Sequence, residues 1–376
     1  MAVSASTDHG IVGNRDLLAR LGRDIRAGVL SHAYIIDGRE GSGRHTLARH
    51  ICMSLACHNR PGRAIAEPVS DPDQMGFFDL EPVAPPAPRE VSPDAPLPCH
   101  ECPSCRKVLE EKCPDIHLIG REGKATIGAA AIRFLRSDVL IPPNDLDTKI
   151  YIIEDAETMT VQAQNALLLT LEEPPPYVLF LLLCDGADNL LETIRSRAPV
   201  LRTQPIPDED IRAYMKAHRC TLSDEDLSAV ILQADGCIGQ ALTLSDGRAV
   251  KPILKLRTDC EDFMSAAADK RADSMITVLY RYVPKKTDAS ARTRATSLLS
   301  LVSLAVRDLL LLRHGDGVRL KYYTDREAAE AIASRFTTRY LLSLTEALSA
   351  AREALESNAN LTLTLMQLAS SCSSYS

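Results

Sequence analysis

The sequence predicts an α/β fold built on a parallel sheet and continued by a long all-helical C-terminal part. Three observations carry the prediction. Short apolar runs alternate with helical stretches from residue 11 to residue 202, a glycine-rich turn separates the first run from the next helix, and residues 253–376 hold helical patterns without a clear strand. Strand–helix alternation implies parallel strands, because a parallel crossover needs a connection long enough to hold a helix on one face of the sheet.

Leu17, Leu18, Leu21 and Ile25 recur at helical spacing. Ala33-Tyr34-Ile35-Ile36 is a short apolar run ending at Asp37-Gly38, as a buried strand does. After the glycine-rich turn, residues 46–52 resume helical patterning. Residues 58–98 are rich in Pro, Asp, Glu and Ala and read as an exposed insertion that need not pack. Beyond it come a strand at 116–119, a helix near 128–139, a strand at 149–153, a helix at 161–172 and a strand at 177–183. A short helix and strand fill 190–202. Residues 205–246 read as a small helical unit, and 297–313 and 340–356 as helices of the C-terminal part.

A length of 376 residues is enough for two or three domains at about 150 residues each. The hydrophobic share of 45% and charged share of 25% fit a chain that folds. No apolar run approaches the ~20 residues of a membrane helix, and the start of the chain lacks the basic and apolar stretches of a signal peptide. A cytoplasmic protein without membrane contact is therefore expected. A net charge of −7 and a pI near 5.8 argue against a chain that coats DNA unaided, since phosphate binding draws on clustered Lys and Arg. Eleven cysteines in such a compartment are not expected to form disulfides, and clustered ones read as metal ligands first.

The turn Gly38-Arg39-Glu40-Gly41-Ser42-Gly43-Arg44-His45-Thr46 has the frame of a phosphate-binding loop. In a working loop, backbone N–H groups cradle phosphates, a Lys bridges the terminal ones and a hydroxyl holds magnesium. Gly41 and Gly43 let the backbone curl, but Arg44 takes the Lys position and His45 the hydroxyl position. Guanidinium is a planar fork rather than a compact ammonium, and imidazole is a poor ligand for oxygen-preferring magnesium. The strand Lys149–Ile153 then ends in Glu154-Asp155, the reverse of the usual Asp-Glu order, which misplaces both carboxylates. Gly41, Gly43, Arg44, Thr46, Glu154 and Asp155 thus outline a degenerate nucleotide site, retained as structure with at most weak nucleotide binding. An unusual working ATP site and an unrelated glycine-rich turn are the alternatives.

Two further segments are more specific: Gln164-Asn165-Ala166-Leu167-Leu168-Leu169-Thr170-Leu171-Glu172-Glu173-Pro174-Pro175 and Leu190-Leu191-Glu192-Thr193-Ile194-Arg195-Ser196-Arg197-Ala198. They resemble the Asn-Ala-Leu-Leu-Lys-x-Leu-Glu-Glu-Pro-Pro helix and the Thr-Ile-x-Ser-Arg-Cys motif of bacterial clamp-loader subunits of DNA polymerase III. Ser31-His32-Ala33-Tyr34 and the cysteine cluster match as well. The resemblance covers residues 11–245, and the lost ATP residues make the chain similar to the non-hydrolysing member of the family rather than to the motor subunit, gamma/tau.

That resemblance implies a P-loop AAA+ domain at 1–204, with the insertion at 58–98 and a zinc module at 99–113. It further implies a helical lid at 205–248 and a helical collar at 249–376. It implies partners as well: gamma/tau and delta subunits in a hetero-pentameric ring, the sliding clamp, and primed DNA reached through the complex. Arg197 is implied as an arginine finger acting in trans on a neighbour's ATP, with Ala198 in place of the family's Cys. No activity of the chain's own is expected; an ATP-hydrolysing gamma/tau-like subunit is the alternative. The sensing position falls at Cys184 or Asp185, and Gly239 stands where an active subunit tends to carry Arg.

Cys99, Cys102 and Cys105 lie at intervals of three, suited to wrapping one tetrahedral zinc. The resemblance makes Cys57 the fourth ligand of a structural Zn2+, with Cys113 and His100 as rivals. Gln74-Met75-Gly76-Phe77-Phe78, inside the insertion, resembles the short peptides that dock into sliding clamps, and folding back on its own domain is the other reading. A zinc-dependent DNA-binding module outside any ring is disfavoured by the acidic balance.

Overall fold

A computed structural model of the chain describes residues 11–61, 95–121, 123–218, 220–283, 290–315 and 320–374. The peptide at 74–78 and most of the insertion lie outside the described residues.

The chain divides into two compact units, Met1–Tyr214 with Gly236–Gln240, and Met215–Asp235 with Ala241–Ser376. The first contains α1 (Arg15–Ala27), β1 (Ala33–Asp37), α2 (Arg44–Ala56), α3 (Pro103–Leu109), β2 (Ile116–Ile119) and α4 (Ala129–Asp138). It continues with β3 (Lys149–Ile153), α5 (Val161–Glu172), β4 (Val178–Cys184), α6 (Glu192–Arg195) and β5 (Val200–Arg202). The five strands form one sheet in the order β2-β3-β4-β1-β5, every pair parallel.

The period of two along each strand sorts its side chains onto two faces. Tyr34, Ile36, Ile150, Ile152, Leu179, Leu181 and Leu183 share one apolar cluster with Leu21, Ile25, Leu47 and Ile51 of α1 and α2. Ala33, Ile35, Tyr151, Ile153, Phe180 and Leu182 share another with Ile132, Leu135, Leu167 and Leu171 of α4 and α5. All seven residues of β4 are buried, which explains its unbroken apolar run. Register aligns Asp37 with Cys184, so the C-terminal ends of β1 and β4 finish at one edge, and β3 ends beside β4. Ligands of open parallel sheets bind at that edge.

Helix α3 is a piece the sequence reading left without an element. It is started by Pro103 at its first turn and by Cys102, whose Sγ accepts from the Cys105 N–H at 3.4 Å. Asp115, 3% exposed, accepts the backbone N–H groups of Asn144, Asp145 and Leu146 at 2.6–2.7 Å. It thereby fixes the approach to β3.

The second unit is helical. It contains α8 (Asp224–Ala234), α10 (Val250–Ala268), α11 (Ala272–Tyr280), α12 (Ser290–His314), α13 (Arg326–Ala333), α14 (Thr338–Glu356) and α15 (Leu361–Ser374), while the chain crosses between the units inside α7 (Asp208–Ala217) and α9 (Ile238–Leu244). Among the described residues, α12 is long and apolar enough to cross a membrane by length and composition. The sequence reading missed this because Arg307 and Asp308 interrupt the run. Leu298, Leu299, Val302, Ala305, Val306 and Leu309 of α12 are buried in the unit's own core against α10, α13 and α14, the pattern of a core helix.

Asp308 is fully buried on α12, where Oδ2 accepts the N–H groups of Lys321, Tyr322 and Tyr323 and Oδ1 accepts from Arg307 at 3.1 Å. Removing the carboxylate leaves these buried donors without an acceptor, each at a cost of about 1–3 kcal/mol before relaxation. Asp308→Ala is therefore expected to lower the unfolding free energy by about 2–4 kcal/mol, seen as a lower urea midpoint at unchanged slope. A change under ~0.5 kcal/mol, the size of an ordinary surface substitution, would show that the acid does not hold the loop.

Candidate functional site

The turn after β1 curls as its glycines predict. Gly41 and Gly43 have φ of +80° and +92°, a region costly for any side chain. Helix α2 starts at Arg44, so backbone N–H groups at its first turn face the loop, as in an anion site. Two tertiary contacts lie against this loop. The Gly41 carbonyl accepts the Gly239 N–H at 2.9 Å, and a Cβ on Gly41 would stand 2.7 Å from the Gln240 nitrogen. On the other side, Thr203 Oγ1 lies 3.0 Å from Ser42 Oγ and 3.2 Å from the Asp37 carbonyl. A cleft beside the loop, lined in part by Thr46, Asn14 and Ile206, holds about 30 Å³, room for little more than a water.

Arg44 is 7% exposed, and its Nη1 has no hydrogen-bond partner among the described residues. A buried N–H without an acceptor costs about 1–3 kcal/mol, so Arg44 is an anion-seeking group in the loop. His45, in the hydroxyl position, points its Nδ1 at Glu154 Oε1, 3.1 Å away. Asp155, in left-handed backbone with φ 46°, receives Arg121 Nη2 at 2.7 Å. Asp37 takes the Gly186 N–H at 3.0 Å and faces Arg202 at 3.6 Å. The carboxylates that would surround magnesium therefore each meet a basic side chain of this chain. At the sensing position, Cys184 is fully buried; burial first, then the Asp37 carboxylate, push its thiol up to about 12, so it stays protonated. Asp185 is exposed.

Arg197 follows α6 on a short turn anchored by Ile194 and Ala198, both fully buried. Gln164, 4% exposed on α5, accepts the Leu191 N–H through Oε1 at 2.9 Å and donates to the Met159 carbonyl, fixing where that turn begins. The Arg197 guanidinium remains partly exposed. Its Nη2 donates to Glu172 Oε1 at 2.7 Å and its Nη1 to the Thr193 carbonyl at 3.0 Å. Arg121, Gln164, Glu172 and Thr203 were absent from the sequence-derived set. Gln164 and Glu172 stand inside the quoted helix motif, whereas Arg121 and Thr203 carry no local pattern.

The structure brings Cys57, at the end of α2, together with Cys99, Cys102 and Cys105, their Sγ atoms all within 4.8 Å of one another. A tetrahedral zinc with Zn–S bonds of about 2.3 Å needs sulfurs roughly 3.8 Å apart, and Cys99 and Cys105 stand at 4.0 Å. Cys57 Sγ accepts the N–H groups of Asn59 and Cys99, Cys99 Sγ that of Cys102, and Cys102 Sγ that of Cys105, at 3.3–3.4 Å. Such bonds favour thiolates, the form that binds metal. The Cys105 hydrogen bond is the chief cause that lowers the Cys57 thiol to about 5. The four thiols could hold a metal ion. The rivals Cys113 and His100 are outside this group; Cys113 lines a cavity of about 300 Å³ that reaches His45 and Glu154 of the loop site.

A family model described as "DNA polymerase III, delta subunit" matches residues 89–207. The DNA polymerase III subunit gamma of Buchnera aphidicola subsp. Acyrthosiphon pisum is 25% identical over 238 residues, 62% of this chain and 56% of that relative, so the match spans about half of the relative's length. The DNA polymerase III subunit delta' of Bacillus subtilis is 24% identical over 335 residues, 88% of this chain and 87% of the relative. Among solved structures, a gamma subunit-related protein of Thermotoga maritima covers 95% of this chain and 98% of its own at 17% identity, with a TM-score of 0.41. Family model and relatives agree with the motifs: this chain is similar to the clamp-loader subunits of DNA polymerase III, and along most of its length to a delta-prime subunit.

Proposed function

We propose that this chain is a non-hydrolysing, delta-prime-type subunit of a clamp-loader ring in the cytoplasm. It would serve DNA replication alongside gamma/tau and delta subunits, in loading a sliding clamp onto primed DNA. The observation that carries the reading is the contrast between two places on one sheet. At the loop, Glu154 and Asp155 face His45 and Arg121, and Thr203 and Gly239 contact Ser42 and Gly41. At the far motif, Arg197 stands partly exposed on a buried anchor.

In this reading Arg197 works in trans. A guanidinium placed on a neighbour's γ-phosphate offsets the charge that develops as the phosphoryl group leaves, which in other systems is worth about 10³–10⁵ in rate. Residues 205–248 would form the lid and 249–376 the collar that holds the ring. Cys57, Cys99, Cys102 and Cys105 would hold a structural zinc; four protein thiolates leave no open position, so the metal would tie the end of α2 to α3 and do no chemistry.

In a ring reconstituted with the partner ATPase subunits, Arg197→Ala is expected to cut clamp- and DNA-stimulated hydrolysis at the adjoining site by about tenfold or more. Unchanged hydrolysis would overturn the trans role. For the metal, elemental analysis is expected to find one zinc per chain. Cys57→Ser should lose it and lower the melting temperature, while Cys113→Ser should keep it. Zinc retained by Cys57→Ser would remove that residue from the ligand set.

A further inference from the structure

We propose that Glu172 is a positioning residue for Arg197, holding the guanidinium parked until a neighbour's triphosphate takes it. The inference rests on the trans role proposed above and adds to it a step of exchange between two anions.

The guanidinium presents its donors as a fork with a fixed geometry. One arm, Nη1, is bound to the Thr193 carbonyl at 3.0 Å and lies 3.4 Å from Ser196 Oγ, which fixes the arginine to its own turn. The other arm, Nη2, is bound to the Glu172 carboxylate at 2.7 Å. A phosphate oxygen seeks the same kind of donor as a carboxylate oxygen does. Glu172 and an incoming phosphate therefore compete for Nη2, while the hold on Nη1 remains.

The location of Glu172 makes the pairing specific. It is the last residue of α5, and the negative end of a helix dipole disfavours an acid there unless a cation lies against it. Side-chain exposures of 35% for Arg197 and 47% for Glu172 put the pair in the class that exchanges at low cost. The next residue, Glu173, has the same charge at the same helix end, is exposed, and forms no ion pair among the described residues. One turn before Glu172, Leu169 is 55% exposed, so an apolar side chain lies open on the helix that carries the latch.

The test uses the full chain in a ring with its partner ATPase subunits, clamp and primed DNA, and reads steady-state hydrolysis against ATP concentration. Glu172→Gln removes the competing charge. It is expected to lower the ATP concentration for half-maximal hydrolysis by about two- to five-fold and to leave kcat unchanged. Glu173→Gln should change neither quantity. On an Arg197→Ala background, Glu172→Gln should have no effect, as a double-mutant cycle requires of a paired interaction. The inference is overturned by an unmoved half-saturation point, by an equal shift from Glu173→Gln, or by a shift that persists without Arg197. If Arg197→Ala alone leaves hydrolysis unchanged, the trans role falls and this inference with it.

Discussion

Parallel strands that end together gather their terminal acids at one edge, and those acids must find counter-charge. In this chain Asp37, Glu154 and Asp155 crowd the C-terminal edge of the sheet, where a nucleotide-binding relative would place magnesium and phosphate. Here the counter-charge is internal, Arg202 beside Asp37 and Arg121 beside Asp155, while the His45 imidazole lies against Glu154. Each such pair, being partly exposed, contributes only about 0–1 kcal/mol. Ion pairing alone therefore fixes little at this edge. The weight falls on packing, with Thr203 against the loop on one side and Gly239 hydrogen-bonded to Gly41 on the other. Gly41 cannot be replaced without displacing that contact, since any Cβ would meet the Gln240 backbone. Arg44, whose buried Nη1 lacks an acceptor among the described residues, carries a cost at this loop.

The same sheet serves a different purpose at the motif carrying Arg197. Its turn is pinned by buried Ile194 and Ala198 and by the Gln164 hydrogen bond from α5, so the backbone is fixed while the guanidinium stays at the surface. A rigid anchor below a partly exposed guanidinium suits a group that must reach another molecule without the subunit rearranging. The cysteine module adds stiffness beside the loop, since Cys57 ends α2 and Cys102 starts α3.

Much of this was legible in the residues because the responsible patterns are local. The five strands were readable from apolar runs, with β3 and α5 at the residues expected and β4 displaced by one, to Val178–Cys184. The four cysteines come together because three sit at close spacing and the fourth ends the adjoining helix. The pairs His45–Glu154, Arg121–Asp155 and Arg197–Glu172 were not legible: each joins residues far apart in sequence, and nothing in a polar side chain's own neighbourhood names its partner. Thr203 and Gly239 escaped for the same reason, as packing against the loop exists only once the sheet has formed. The length of α12 was not legible either, because Arg307 and Asp308 break its apolar run although the helix continues through them.

The most direct measurement is a calorimetric titration of ATP with magnesium into the isolated full-length chain. A loop filled by its own residues predicts no saturable, magnesium-dependent binding below about 1 mM, and no release of phosphate on long incubation. Micromolar binding that requires magnesium, followed by turnover, would contradict the account and make the chain a motor in its own right.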